Sequence, residues 1–200
     1  MKKFCYLFIA VFTFLFYCTE LSAQKANELS EEELHIFQTE VKHRVKRFQN
    51  YLTFIASKRN NLQTKKAYIK QTLKLFIGEG NEYKDYYGNL QPAVRMQINV
   101  SGKKVWRKTK DYLNNLTKLN YQRLDITWAD VCRVGEFHKI REGLYVATVY
   151  ITQKFSGMRD NYSVIDVDEK AITIYLEEVS TIAGRRYNLF FGDIEVTQSY

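Results

Sequence analysis

The chain has 200 residues, a formal net charge of +8, and 46% hydrophobic and 15% aromatic side chains. That apolar content excludes a disordered chain, and the length suits one domain with a sizeable core. One proline and nine glycines leave no flexible linker to divide it, and no internal repeat is present.

Met1 to Ala23 has the three-part layout of a secretory signal peptide: Lys2 and Lys3, an apolar run from Phe4 to Tyr17, then a short polar stretch ending in Leu21-Ser22-Ala23. The run is shorter than the roughly 18 to 20 apolar residues that span a bilayer. Cleavage after Ala23 is therefore expected, which makes the mature chain periplasmic or secreted. It would remove Cys5 and Cys18 and leave Cys132 alone, so no intramolecular disulfide is expected and the core must supply the stability.

Ser30-Glu31-Glu32-Glu33 matches a capping box and predicts a helix start. Leu34, Phe37, Val41, Val45, Phe48, Leu52 and Ile55 follow at steps of three and four, so one apolar stripe should run to about Lys58. A second helix is expected from Leu62 to Ile77, burying Ile69, Leu73, Phe76 and Ile77 and ended by Gly78, and the two should pair as a helical hairpin. Residues 24–60 thus form an N-terminal amphipathic helix, packed into one compact unit with an α+β domain over 61–200.

Tyr86-Tyr87-Gly88-Asn89 reads as a turn, Val94–Val100 as a strand closed by Ser101-Gly102, and Val105–Leu116 as a third helix. Long β segments follow at Leu124–Val134, Leu144–Phe155, Ala171–Val179 and Tyr187–Val196. Arg141-Glu142-Gly143, Asp168-Glu169-Lys170 and Ala183-Gly184-Arg185 read as their turns, and Ser156-Gly157 as a bend or bulge. Parity puts Leu124, Ile126, Trp128, Cys132 and Val134 on one face. Tyr145, Ala147, Val149, Ile151 and Phe155 share a face on the next strand, and Ile172, Ile174 and Leu176 on the one after. These faces should meet the helices, with Asp125, Thr127, Thr152, Lys154 and Thr173 outward. The fold class is α+β: N-terminal helices packed on a strongly bent antiparallel sheet of long hairpins.

That element order, over roughly Asn61 to Val196, resembles the nuclear transport factor 2-like (cystatin-like, cone-shaped) superfamily. The resemblance implies a cone with a pocket, of the kind found in ketosteroid isomerase-like and polyketide cyclase-like enzymes and in many non-enzymatic ligand- or partner-binding members. A fold shared so widely carries little information about activity.

Asp130 would sit between Trp128 and Cys132 on the apolar face, where desolvation raises a carboxyl pKa and suits a general base, with Tyr145 as hydrogen-bond donor to a substrate oxygen. A bulge near Ala129 or a salt bridge to Arg133 would instead make Asp130 structural. Trp128, Tyr145 and Phe155 are the candidate ligand-binding residues. His35, His43 and His138 match no metal-ligand spacing, Asp166 and Asp168 lack the rest of a calcium loop, and no phosphate loop or nucleophile elbow is present, so no metal and no cofactor is expected. The basic run Lys42-His43-Arg44-Val45-Lys46-Arg47 is read as a solvated face or a contact for an anionic envelope surface; export argues against nucleic acid. The leading expectation is an exported, non-enzymatic module that binds a small ligand or a partner protein. The alternatives are a small-molecule isomerase or lyase using Asp130, and an envelope-associated structural or assembly factor.

Overall fold

The computed structural model describes residues 29–100, 102–119, 121, 123–128, 133–159, 162–181 and 184–200. The expected signal peptide, Asp130 and Cys132 lie outside them. The chain clusters into two units, one ending at Ile36 and the other Phe37–Tyr200.

Helix α1 spans Glu31–Ala56. Its start is the expected capping box: the Ser30 N–H donates to Glu33 Oε2 at 2.8 Å, and the Glu33 N–H donates to Ser30 Oγ at 3.2 Å. Ser30→Ala should cost about 1 kcal/mol of stability in thermal or urea unfolding, because it leaves an end-of-helix amide without its acceptor. Further along, Val41, Val45, Phe48, Leu52 and Ile55 are buried, as the stripe predicts. Lys42, His43, Lys46 and Arg47 face solvent.

Helix α2 spans Leu62–Leu73, with the Asn61 side chain accepting from the Thr64 N–H. It pairs with α1 through Tyr68, which stacks on Phe54 at 4.4 Å and meets Tyr51 edge-on at 5.5 Å. The helix stops four residues before the predicted end because the chain turns into the sheet. Leu75 O accepts the Phe191 N–H at 2.8 Å, and Phe76 makes a parallel bridge with Phe191. Gly78 and Glu79 then take φ 70° and 50°, a kink that interrupts the 3-10 segment Ile77–Gly80.

Ten strands follow among the described residues: β1 Tyr83–Lys84, β2 Leu90–Gln91, β3 Arg95–Val100, β4 Lys103–Lys108, β5 Arg123–Trp128, β6 Arg133–Val134, β7 His138–Arg141, β8 Leu144–Arg159, β9 Tyr162–Thr181 and β10 Gly184–Ser199, with helix α3 at Thr109–Leu116 after β4. β1 and β2 form their own hairpin around the predicted tyrosine turn. The other eight make one sheet in the order β4-β3-β10-β9-β8-β5, with β6 and β7 also paired to β8. The architecture is α+β, with helices packed on a large sheet that is not closed.

Four expectations are corrected. The sheet is mixed, because β10 pairs parallel with β3. Side chains fasten that junction: the Arg95 guanidinium and backbone N–H both bond Asp193, at 2.9 and 2.7 Å, and the buried Gln97 amide oxygen accepts the Val196 N–H at 3.0 Å. The predicted third helix begins at Thr109, since Gly102, at φ 80°, turns the chain back and Val105 and Trp106 belong to β4. Asp168-Glu169-Lys170 is not a turn. β8 and β9 pair without a register shift from Leu144↔Glu177 to Arg159↔Tyr162, so the reversal comes after Arg159. Ser156-Gly157 is likewise regular strand, and register shifts fall instead in β7, between Lys139 and Arg141, and in β10, between Phe191 and Ile194 and between Val196 and Gln198.

The face assignment holds for eight of the residues it placed inward. Ile126, Tyr145, Ala147, Val149, Ile151, Ile172, Ile174 and Leu176 are all buried, facing a core centred on Phe48, Phe76 and Phe191. Phe48 meets Phe76, Trp128 and Phe191 edge-on at 5.3, 5.4 and 5.8 Å.

Candidate functional site

The same alternation carries three charged residues onto the inner face of β9. Residues of one parity share a face, so Asp166, Asp168 and Lys170 continue the row of Ile172, Ile174 and Leu176. Paired residues also lie side by side on one face, and Phe155 is registered with Asp166 and Gln153 with Asp168. Asp168, Lys170 and Gln153 are 7, 4 and 7% exposed. Buried charges at this depth require partners, and they have them. Lys170 Nζ lies 3.6 Å from Asp168 Oδ2, while Ser199 Oγ donates to Asp168 Oδ1 at 2.6 Å.

These residues line a cavity of ≈ 730 Å³ between α3, β3 and the β5-β8-β9 part of the sheet. Its walls are both aromatic and aliphatic. Tyr112 and Leu116 come from α3, Ile98 and Asn99 from β3, Ile126 from β5, and Val164 and Ile165 from the solvent end of β9. Tyr121 meets Phe155 edge-on at 5.4 Å. Tyr121 can lie there because position 157 is glycine: a Cβ on Gly157 would come within 2.7 Å of the Tyr121 ring. Asn99 Oδ1 is buried without a hydrogen-bond partner among the described residues. An acceptor in that state costs free energy unless a donor reaches it.

Electrostatics follow from depth. Burial lowers the Lys170 amine below its ordinary 10.5, with Asp168 and Asp166 opposing part of that drop. For Asp166, burial raises the carboxyl, the neighbouring Asp168 adds to the rise, and Lys170 pulls the other way. The Tyr112 hydroxyl is raised by burial and then by Asp168, so it remains a protonated donor. The site therefore offers an amine with reduced proton affinity, a carboxylate 3.6 Å from it, an unpaired amide oxygen and aromatic walls. Shifted groups gathered in one cleft are the usual mark of a working site.

Of the residues expected from sequence to bind ligand or catalyse, Phe155 lines this cavity. Trp128 packs on Phe48 in the core, and its buried Nε1 has no hydrogen-bond partner among the described residues. Tyr145 is buried and sits edge-on to Tyr187 at 6.3 Å, and burial raises its hydroxyl pKa. The structure does not bring these three together in one pocket. Asp130 lies outside the described residues. The residues that sequence reasoning missed, Asp168 and Lys170, carried a readable signal: their parity with Ile172, obscured because three consecutive charged residues look like a turn.

Among the described residues, no group of three or more His, Cys, Asp or Glu side chains could hold a metal ion, and no helix is long and apolar enough to cross a membrane. No protein-family model, curated protein or solved structure matches the chain.

Proposed function

We propose that this chain is an exported, non-enzymatic binding module of nuclear transport factor 2-like fold that takes a small ligand into the β9 cavity. The observation that carries the reading is the ≈ 730 Å³ cavity with Asp168, Lys170 and Gln153 on its inner wall. Its size suits a small organic molecule, and its mixture of apolar walls with a few polar groups suits orienting one. Helices ahead of the sheet and the strand order β4-β3-β10-β9-β8-β5 are compatible with the cone-shaped fold. Export rests on the signal-peptide pattern of residues 1–23, and the exposed basic side of α1 would meet anionic envelope surfaces.

The test is a thermal-shift screen of a small-molecule library against the full chain and against Val164→Trp. Val164 is 40% exposed and lines the cavity, so an indole there narrows the entrance at little cost to the core. A ligand present at about 100 times its Kd stabilises the native state by about 2.7 kcal/mol, an easily read shift. True cavity ligands should lose that shift in Val164→Trp. Ligands that shift both proteins equally would place binding elsewhere and remove the support for this reading.

A further inference from the structure

We infer that Lys170 is a carbonyl-reactive amine, which forms an imine with an aldehyde or ketone that enters the β9 cavity. The inference rests on the cavity reading above and adds the ligand's chemical class.

Three observations carry it. Lys170 lines the cavity although it is only 4% exposed, so a ligand inside would meet its amine away from bulk water. Asp168 stands beside the amine as its ion-pair partner: Ser199 occupies Oδ1 at 2.6 Å, and Oδ2 lies 3.6 Å from Nζ, a gap that a small side-chain shift closes for proton transfer. The walls contributed by Tyr112, Tyr121 and Phe155 suit a flat, apolar body attached to the carbonyl. Lysine is also the side chain whose proton affinity responds most readily to burial, and imine-forming lysines depend on that response.

The chemistry balances within the site. The Lys170 ammonium gives one proton to the Asp168 carboxylate, and the freed lone pair forms a C–N bond to the carbonyl carbon. One nitrogen proton passes to the carbonyl oxygen, giving a carbinolamine. Asp168 returns its proton to that hydroxyl, the C–O bond breaks and water leaves. The resulting iminium again carries one positive charge beside the Asp168 carboxylate, so the buried ion pair survives the reaction.

The experiment treats the full chain at neutral pH with benzaldehyde and sodium cyanoborohydride, which reduces the imine to a stable benzylamine, and maps the modified lysines by peptide mass spectrometry. Lys170 should be labelled severalfold faster than the exposed lysines, because burial leaves less of its amine as the unreactive ammonium. Val164→Trp should slow that labelling, Asp168→Asn should slow it without abolishing it, and Lys170→Met should leave only the background. The wild-type peptide map decides the matter even if Lys170→Met folds poorly. Benzyl alcohol, which lacks the carbonyl, is run in parallel as a non-covalent probe by thermal shift on wild type and Val164→Trp. If benzyl alcohol binds in a Val164-dependent way while Lys170 is labelled no faster than surface lysines, the imine inference is overturned and the cavity reading stands. If neither probe shows Val164-dependent behaviour, both are overturned.

Discussion

Phe48→Ala should lower stability by about 3–5 kcal/mol, the usual cost of emptying a core aromatic site. Phe48 is fully buried on α1, where that helix packs on the sheet. Its ring meets Phe76, Trp128 and Phe191 at centroid distances between 5.3 and 5.8 Å. Removing it opens a cavity bounded by three bulky rings that share a fixed edge-to-face arrangement and have little room to collapse inward. Urea unfolding with matched m-values is the measurement. A loss under about 1 kcal/mol would mean that the neighbours refill the space, and the tight packing inferred here would be wrong.

Lys170→Met should destabilise by a comparable amount, about 3–5 kcal/mol at neutral pH, although it replaces an ion with an apolar side chain of similar length. The loss arises from what is left behind. Asp168, with a side chain 10% exposed, would keep its bond from Ser199 but lose the ammonium beside it, and Asp166 would lose the charge that offsets its burial. The pH dependence has a definite sign. Burial lowers the Lys170 amine below 10.5 in the folded state, so at pH values between its folded pKa and 10.5 the unfolded chain binds more protons. The contribution of this group to stability therefore rises with pH across that window. In Lys170→Met that rise is absent. The stability gap between wild type and variant should widen as pH rises toward 10.5, in paired urea titrations. A gap that stays constant or narrows would mean the amine keeps its ordinary proton affinity when buried.

Both effects depend on features of unequal legibility. The apolar stripe of α1, including Phe48, follows from spacing alone, because a period near 3.6 leaves few other conformations that bury those residues together. The inward faces of β5, β8 and β9 were also readable, since alternation has a strict period of two. Asp168 and Lys170 obey that same alternation. They look like a turn because charged residues in the middle of a strand are costly unless something opposes them, and the opposing partners are each other and Ser199 on a strand 31 residues away from Asp168. Val105 and Trp106 were drawn into a predicted helix for a related reason: without knowing that β3 waits to pair with them, their apolar spacing fits either period.

What the amino-acid order determined by itself is local: the capping box at Ser30, the buried side of α1, the tyrosine turn before β2, the inward parity of the long strands and the α+β class. Each is set by interactions among residues close in the chain or by the periodicity of one element. Only the tertiary structure decided that β10 lies parallel to β3, that α2 stops short so that Leu75 and Phe76 join Phe191, and that β8 and β9 run on through their charged stretch. These depend on pairings between distant segments, where the stabilising partner is absent from the local sequence and the entropy of closing a long loop must be offset by contacts formed all at once. The candidate site belongs to this second group. Its amine, its carboxylates and its aromatic walls come from α3, β3, β5, β8 and β9, and they meet because the sheet brings those strands side by side.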